Sequence, residues 1–263
     1  MKNHLNTQQH RFWLWLTSEI SERMSQNLPF IKIQPKNTLL FGNFELKTFK
    51  LLSKTYPQTV LWADKKIGLM QKYLQNLNPF KKLSIQTYLP ESLSNNPSFA
   101  EHFEMIWAGP LQLSAEEYPQ FFSDSGNCLK TQGLLMFSYL GPDTGKEFRN
   151  LFSQTGKVGP DMHDIGDHLT KSGFADPVMH MEYIHLEYES SQLLIKDVLE
   201  IGLINEQDAK SSQLETTLNA SLESQSKLSL TLEIVYGHAW KVPKKELGVT
   251  RISPESILKT YKK

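Results

Sequence analysis

A glycine at the end of an apolar run, followed about 20 positions later by an acidic residue, is a pairing that can hold a nucleoside. Here Thr38–Phe41 runs apolar into Gly42, and Asp64 closes a second apolar run, Val60–Ala63. In open α/β sheets a glycine turn after the first strand lets the backbone approach a ligand closely, and the later carboxylate reaches the ribose hydroxyls. The turn itself reads Gly42-Asn43-Phe44-Glu45-Leu46, with glycine only at its first position. Gly42 and Asp64 are therefore the candidate cofactor residues.

Arg149, after Gly141-Pro142-Asp143-Thr144, offers a planar fork suited to a bidentate grip on a carboxylate. The spacing predicts that it begins a helix, and it equally suits a surface pair with Glu147 or Asp143. His163/Asp167 and Asp164/His168 are i, i+4 pairs that resemble metal ligands, but they lie on adjacent helix faces and need not converge. Asp161 or Asp164 better suits a helix cap above Ile165 and Leu169, and no metal site is expected. His238 with Trp240 could shape a substrate mouth or simply pack, and Cys128 reads as a packing residue.

These residues need a scaffold of strands alternating with helices. Thr38–Phe41, Val60–Ala63, Leu83–Gln86, Met105–Ala108 and Leu134–Tyr139 read as strands. Residues 46–55, 65–76 and 115–130 read as helices, and 90–101 as a loop. Such alternation predicts a mainly parallel sheet covered on both faces. His180–Tyr188 and Leu228–Tyr236 are longer strands that suggest an antiparallel pair at one edge. The polar run 206–227 between them suits either a solvated helix or a mobile insertion. Trp13, Leu16, Ile20 and Met24 fall at helical spacing, so residues 1–30 are expected to form an N-terminal helical lid on a domain spanning 31–263. A membrane-surface role for that helix is weaker, because its charges are mixed.

The chain has 263 residues, with 28 basic and 28 acidic ones, and a zero net charge argues against nonspecific nucleic-acid binding. A single cysteine cannot form an internal disulfide, which predicts a cytoplasmic protein. The Phe12–Leu16 cluster is too short for a membrane span.

Several stretches carry a specific resemblance. They are Gly133–Thr144 with Glu147 and Arg149, Met162–Asp167, Gly173–Met179 and Val235–Trp240. Together they resemble the malonyl-acyl carrier protein O-methyltransferases of biotin synthesis, a group akin to a mitochondrial complex I assembly factor with the same fold. The resemblance spans most of the chain and is weak before residue 110. It implies a Rossmann-like seven-stranded methyltransferase fold, and methyl transfer from S-adenosylmethionine to the free carboxylate of a carrier-bound malonyl group. It further implies substrate contacts from Tyr139 and Arg149.

Position by position, the family's first strand ends in an acidic residue and a Gly-x-Gly-x-Gly turn. This sequence places Leu40 at the acidic position, with Phe44 and Leu46 at the later glycines. The aspartate of the third strand is replaced around Ile85-Gln86, and the fourth strand leads into Ala108-Gly109-Pro110. No tyrosine stands before Tyr56 to match the family's lid. A side chain in a glycine-type conformation costs on the order of 1–3 kcal/mol. Phe44 is also expected to point into the space of the cofactor's methionine part. A combined penalty of about 3–4 kcal/mol would weaken binding several-hundred-fold. Three readings stay open: an enzyme with a weakened or lost S-adenosylmethionine site, a non-catalytic pseudoenzyme, or a repurposed enzyme with another small ligand in the altered pocket. The second would bind an acyl carrier protein or a paralogous methyltransferase.

Overall fold

Seven strands form one sheet: β1 (Asn37–Phe41), β2 (Val60–Asp64), β3 (Ile85–Tyr88), β4 (Phe103–Leu111), β5 (Leu129–Leu140), β6 (Phe174–Tyr188) and β7 (Leu228–Lys241). Their order is β3-β2-β1-β4-β5-β7-β6. The first five are parallel, and β7 runs antiparallel to both β5 and β6. The computed structural model describes residues 11–42, 44, 46–64, 84–88, 97–151 and 158–243. The helix expected over 65–76 lies outside them, as does much of the loop expected over 90–101.

The strands near the middle of the sheet are apolar on both faces, as a parallel sheet covered by helices requires. Leu40, Trp107, Met136 and Ile234 face α1 (Arg11–Ser25), α2 (Leu46–Thr55), α5 (Ser191–Glu200) and α7 (Ser212–Gln225) in one core. The alternate residues Leu39, Ile106, Phe137 and Val235 share a second core with α3 (Tyr118–Cys128) and α4 (Met162–Lys171). Between α5 and α7 lies the short α6 (Glu206–Ala209). No described helix is long and apolar enough to cross a membrane.

In α1 the buried side chains include Trp13, Leu16, Ile20 and Met24, the stripe that helical spacing predicts. Polar links hold both ends of that helix. Glu200 Oε1 accepts the Trp13 N–H at 2.8 Å, and the Arg23 guanidinium reaches Glu182 Oε2 at 2.6 Å. Of the two forms open for 206–227, the structure has helices, α6 and α7. Leu214 and Leu218, four residues apart, are buried on α7.

Element boundaries differ where local pattern and tertiary pairing conflict. The third strand ends at Tyr88, two residues beyond the expected Gln86, because Asp64 pairs in register with Tyr88. The fourth strand continues through Gly109 and Pro110 to Leu111, where its register against β5 shifts. A similar irregularity at Ala175/Val178 carries β6 back to Phe174, past Asp176 and Pro177, which locally read as a break. Arg149 does not begin a helix: it follows a single 3-10 turn, Lys146–Phe148.

Candidate functional site

The carboxyl ends of the parallel strands are where this architecture places ligands. At the end of β1, Gly42 takes φ +117°, a conformation that side chains disfavour. Opposite it, Gly109 takes φ +126°, and a Cβ there would stand 2.4 Å from Ser138 Oγ and 2.7 Å from the Ser138 carbonyl. A Cβ on Gly42 would meet the Gly109 backbone nitrogen at 3.5 Å. The ends of β1 and β4 therefore approach one another through backbone.

Around this crossing the polar positions expected from the resemblance are taken by packing. Leu40 is 1% exposed and belongs to the core under α1. Phe44 is 5% exposed and lies in that same core, so its ring does not stand open in ligand space as the sequence suggested. Burial of a phenyl ring outweighs its exposure at a strand end by about 2 kcal/mol. The residue closing β3 is Tyr88, which corrects the expectation of Ile85–Gln86. Its buried hydroxyl donates to the Leu40 carbonyl at 2.9 Å, tying the end of β3 to β1. Burial, reinforced by Asp64, pushes that phenol well above its ordinary value and keeps it a donor.

A nucleoside cofactor would fit part of this arrangement. Asp64 stands at the end of β2. A groove of about 410 Å³ beside α3 has an apolar floor, including Phe41, Leu113 and Phe121, and a rim of Glu116, Gln120 and Asp124; neither Gly42 nor Asp64 lines it. At the end of β1, Leu40 and Phe44 offer a ligand neither a charge nor an exposed side chain.

The end of β5 is different in kind. Beyond Leu140 the chain turns through Gly141–Gly145, and that turn is bonded to β7. Glu233 Oε2 accepts the Asp143 N–H at 2.6 Å, and Gly145 N–H donates to the Thr231 carbonyl at 2.8 Å. Glu147 turns inward onto the Thr231 hydroxyl and amide. Arg149 pairs with Asp143, not with Glu147: its Nη2 lies 2.7 Å from Asp143 Oδ1 and 2.8 Å from the Pro142 carbonyl. That pair leaves Arg149 half exposed, and the guanidinium holds the Asp143 carboxyl below the usual range. Tyr183 donates to Asp143 Oδ2 at 3.2 Å, and Lys146 sits over the Tyr183 ring at 4.8 Å.

Tyr139 is fully buried, its ring 5.4 Å from that of Tyr118. Among the described residues neither hydroxyl has a hydrogen-bond partner. Desolvation pushes both phenols up. Gly159 closes over them, where a Cβ would come 2.3 Å from the Tyr139 ring.

Asp161 caps α4, accepting the His163 N–H at 2.8 Å and pairing with its ring. Among the described residues no group of three or more His, Cys, Asp or Glu converges on a metal position. His238 is partly buried, which holds it towards the neutral form, and it lines a cleft of about 260 Å³ with Met24, Met136 and His180. The Cys128 thiol is pushed up to about 11 by burial, which removes nucleophilic character.

Residues missed from sequence are Glu233, Tyr88 and Tyr118, and the sequence marks Gly109 only as a departure from the family's pattern after the fourth strand. A lone carboxylate within Leu232-Glu233-Ile234 was a readable signal, because buried charges are rare without a partner. Gly109-Pro110 inside a strand was another. Nothing local marks Tyr88 or Tyr118.

No family model matches the chain. Known proteins resemble it in both fold and sequence. YcgJ of Bacillus subtilis superposes with a TM-score of 0.57 at 11% identity, over 84% of this chain and 99% of that one. A Haemonchus contortus phosphoethanolamine N-methyltransferase, solved with S-adenosylhomocysteine, gives 0.50 at 14% identity, over 86% and 53%. The architecture is that of the class I S-adenosylmethionine-dependent methyltransferases.

Sequence narrows the class further. The malonyl-[acyl-carrier protein] O-methyltransferase of Gallionella capsiferriformans is 34% identical over 243 residues, 86% of this chain and 84% of that one. That of Nitrosospira multiformis is 32% identical over 254 residues, 86% and 82%. The chain belongs to the malonyl-[acyl-carrier protein] O-methyltransferase family.

Proposed function

We propose that this protein recognises the free carboxylate of a malonyl group carried on an acyl carrier protein, for carboxyl O-methylation of the kind used in biotin synthesis, in the cytoplasm. S-adenosylmethionine, when bound, supplies the methyl group, and Gly42 and Asp64 are the residues proposed to hold it. A carboxylate is already a nucleophile at neutral pH, so the chain needs no general base. Its contribution is orientation and exclusion of water.

The observation that carries this reading is Arg149. One nitrogen of its guanidinium is engaged by Asp143 and Pro142, while Nε and Nη1 donate to nothing among the described residues. Half exposed and held in this way, the guanidinium keeps Nε–H and Nη1–H for single charge-assisted bonds to a carboxylate. Tyr139 is proposed to act from beneath, as part of the floor under that turn.

A second reading is favoured by the opposite end of the site. Phe44 and Leu40 form core where the family's pattern has cofactor-binding positions, which supports weakened S-adenosylmethionine binding. On that reading the chain is a non-catalytic partner of an acyl carrier protein or a paralogous methyltransferase. Calorimetric titration with S-adenosylmethionine separates the two. A Kd tighter than about 100 μM, roughly −5.5 kcal/mol, supports the transferase, and no detectable heat supports the binding module.

A further inference from the structure

Within β7, Glu233 is the one charged residue between Leu228 and Gly237. It is 6% exposed. A buried carboxylate is costly unless its oxygens are bonded. Burial raises its proton affinity, Asp143 and Asp161 raise it further, and the Asp143 N–H and Lys146 oppose them. A neutral residue would avoid that cost.

What the carboxylate provides is specific. Three turn contacts use only the Glu233 backbone: its carbonyl accepts the Gly141 N–H at 2.8 Å and the Thr144 hydroxyl at 3.3 Å, and its N–H donates to Thr144 Oγ1 at 3.1 Å. The bond from the Asp143 N–H to Oε2, at 2.6 Å, depends on the side chain. Its donor belongs to the residue whose own carboxylate pins Arg149. Gly141 makes room for this contact, since a Cβ there would lie 2.5 Å from Glu233 Cδ.

We infer that Glu233 is a positioning residue. Its carboxylate fixes the backbone of Asp143, so that Asp143 presents the Arg149 guanidinium to the substrate carboxylate in one orientation. This rests on the proposed role of Arg149. A hydrogen bond to a charged acceptor is about twice as strong as a neutral one, which suits a turn that must hold a side chain against solvent motion.

The test measures calorimetric affinity for malonyl-loaded acyl carrier protein, together with amide exchange at Asp143. Arg149→Gln gives the reference loss. Glu233→Ala is expected to speed Asp143 exchange and to weaken binding roughly tenfold, the effect of about 1.4 kcal/mol. Glu233→Gln keeps an acceptor and is expected to restore both to within about threefold of wild type. Glu233→Met keeps the volume without the acceptor and is expected to stay as weak as Glu233→Ala; rescue by Met equal to that by Gln would mean that Glu233 only fills space and overturns the inference. Asp143→Asn keeps the amide bond and weakens the ion pair, so its loss should approach that of Arg149→Gln even if Glu233→Ala does not fold. Wild-type affinity in either Glu233→Ala or Asp143→Asn overturns the inference alone. If wild type itself fails to bind the malonyl carrier, the proposed function falls and the inference with it.

Discussion

The two ends of this sheet have treated their polar positions in opposite ways. At β1–β3, Leu40 and Phe44 lie in the core and Tyr88 closes onto backbone. At β5–β7, Glu233, Asp143, Tyr183 and Arg149 are bonded to one another or to the turn, and Glu147 to Thr231 of β7. The difference teaches what a ligand site costs to keep. Side chains that would grip a charged cofactor must stay solvated or unpaired, whereas apolar replacements join the core. The proposed cofactor end is packed with apolar side chains, and the proposed substrate end carries a network that packing alone would not require.

Four experiments would break or sharpen this contrast. The largest effect is expected from Phe44→Gly combined with Leu46→Gly. Removing the buried ring and placing glycine in α2 should cost about 4–5 kcal/mol of stability in denaturant unfolding. The same change should raise S-adenosylmethionine affinity by giving the turn a glycine backbone, and unaltered calorimetric binding would show that these two positions do not limit binding. Next is Gly109→Ala. Its φ of +126° and its contact with Ser138 predict a loss of about 3–4 kcal/mol, a fall in Tm on the order of 10 °C. A Tm within two degrees of wild type would mean that the ends of β1 and β4 do not need their close approach (about 1 kcal/mol).

Glu233→Gln probes the other end through pH. A carboxyl with a raised value in the fold adds stability below its unfolded value and loses that contribution as pH rises through the folded one. Wild-type stability should therefore fall across the window from the ordinary glutamate range upward, and the variant should lack that slope and melt a few degrees higher at neutral pH. A parallel slope in both proteins would place the titration elsewhere. The smallest stability change belongs to Arg149→Gln. Its exposed pair with Asp143 is worth under about 1 kcal/mol, so melting should barely move while malonyl-carrier affinity drops. A large loss of stability would make Arg149 a structural residue.

Much of the architecture could be read locally. Alternating apolar runs placed every strand, though Leu83–Gln86 fell two residues short of Tyr88, because only pairing with β2 shows where β3 ends. Pro110 and the Asp176-Pro177 pair hid strand extensions, since proline signals a break along the chain while a bulge absorbs it in the sheet. The candidate site was half legible. Gly42, Asp64 and Arg149 stood out by type and spacing, whereas Glu233 lies 90 residues from the Asp143 amide that it holds.

By itself the sequence determined the layered α/β fold, the stripe of α1 and the single glycine of the turn after β1, because each is a matter of residue type and short-range period. Tertiary structure alone decided that Phe44 is core, that Arg149 pairs with Asp143 rather than Glu147, and that β7 supplies the carboxylate beneath the turn. These depend on which distant strands become neighbours. No local pattern carries that information, since burial and hydrogen bonding are set by the sheet order.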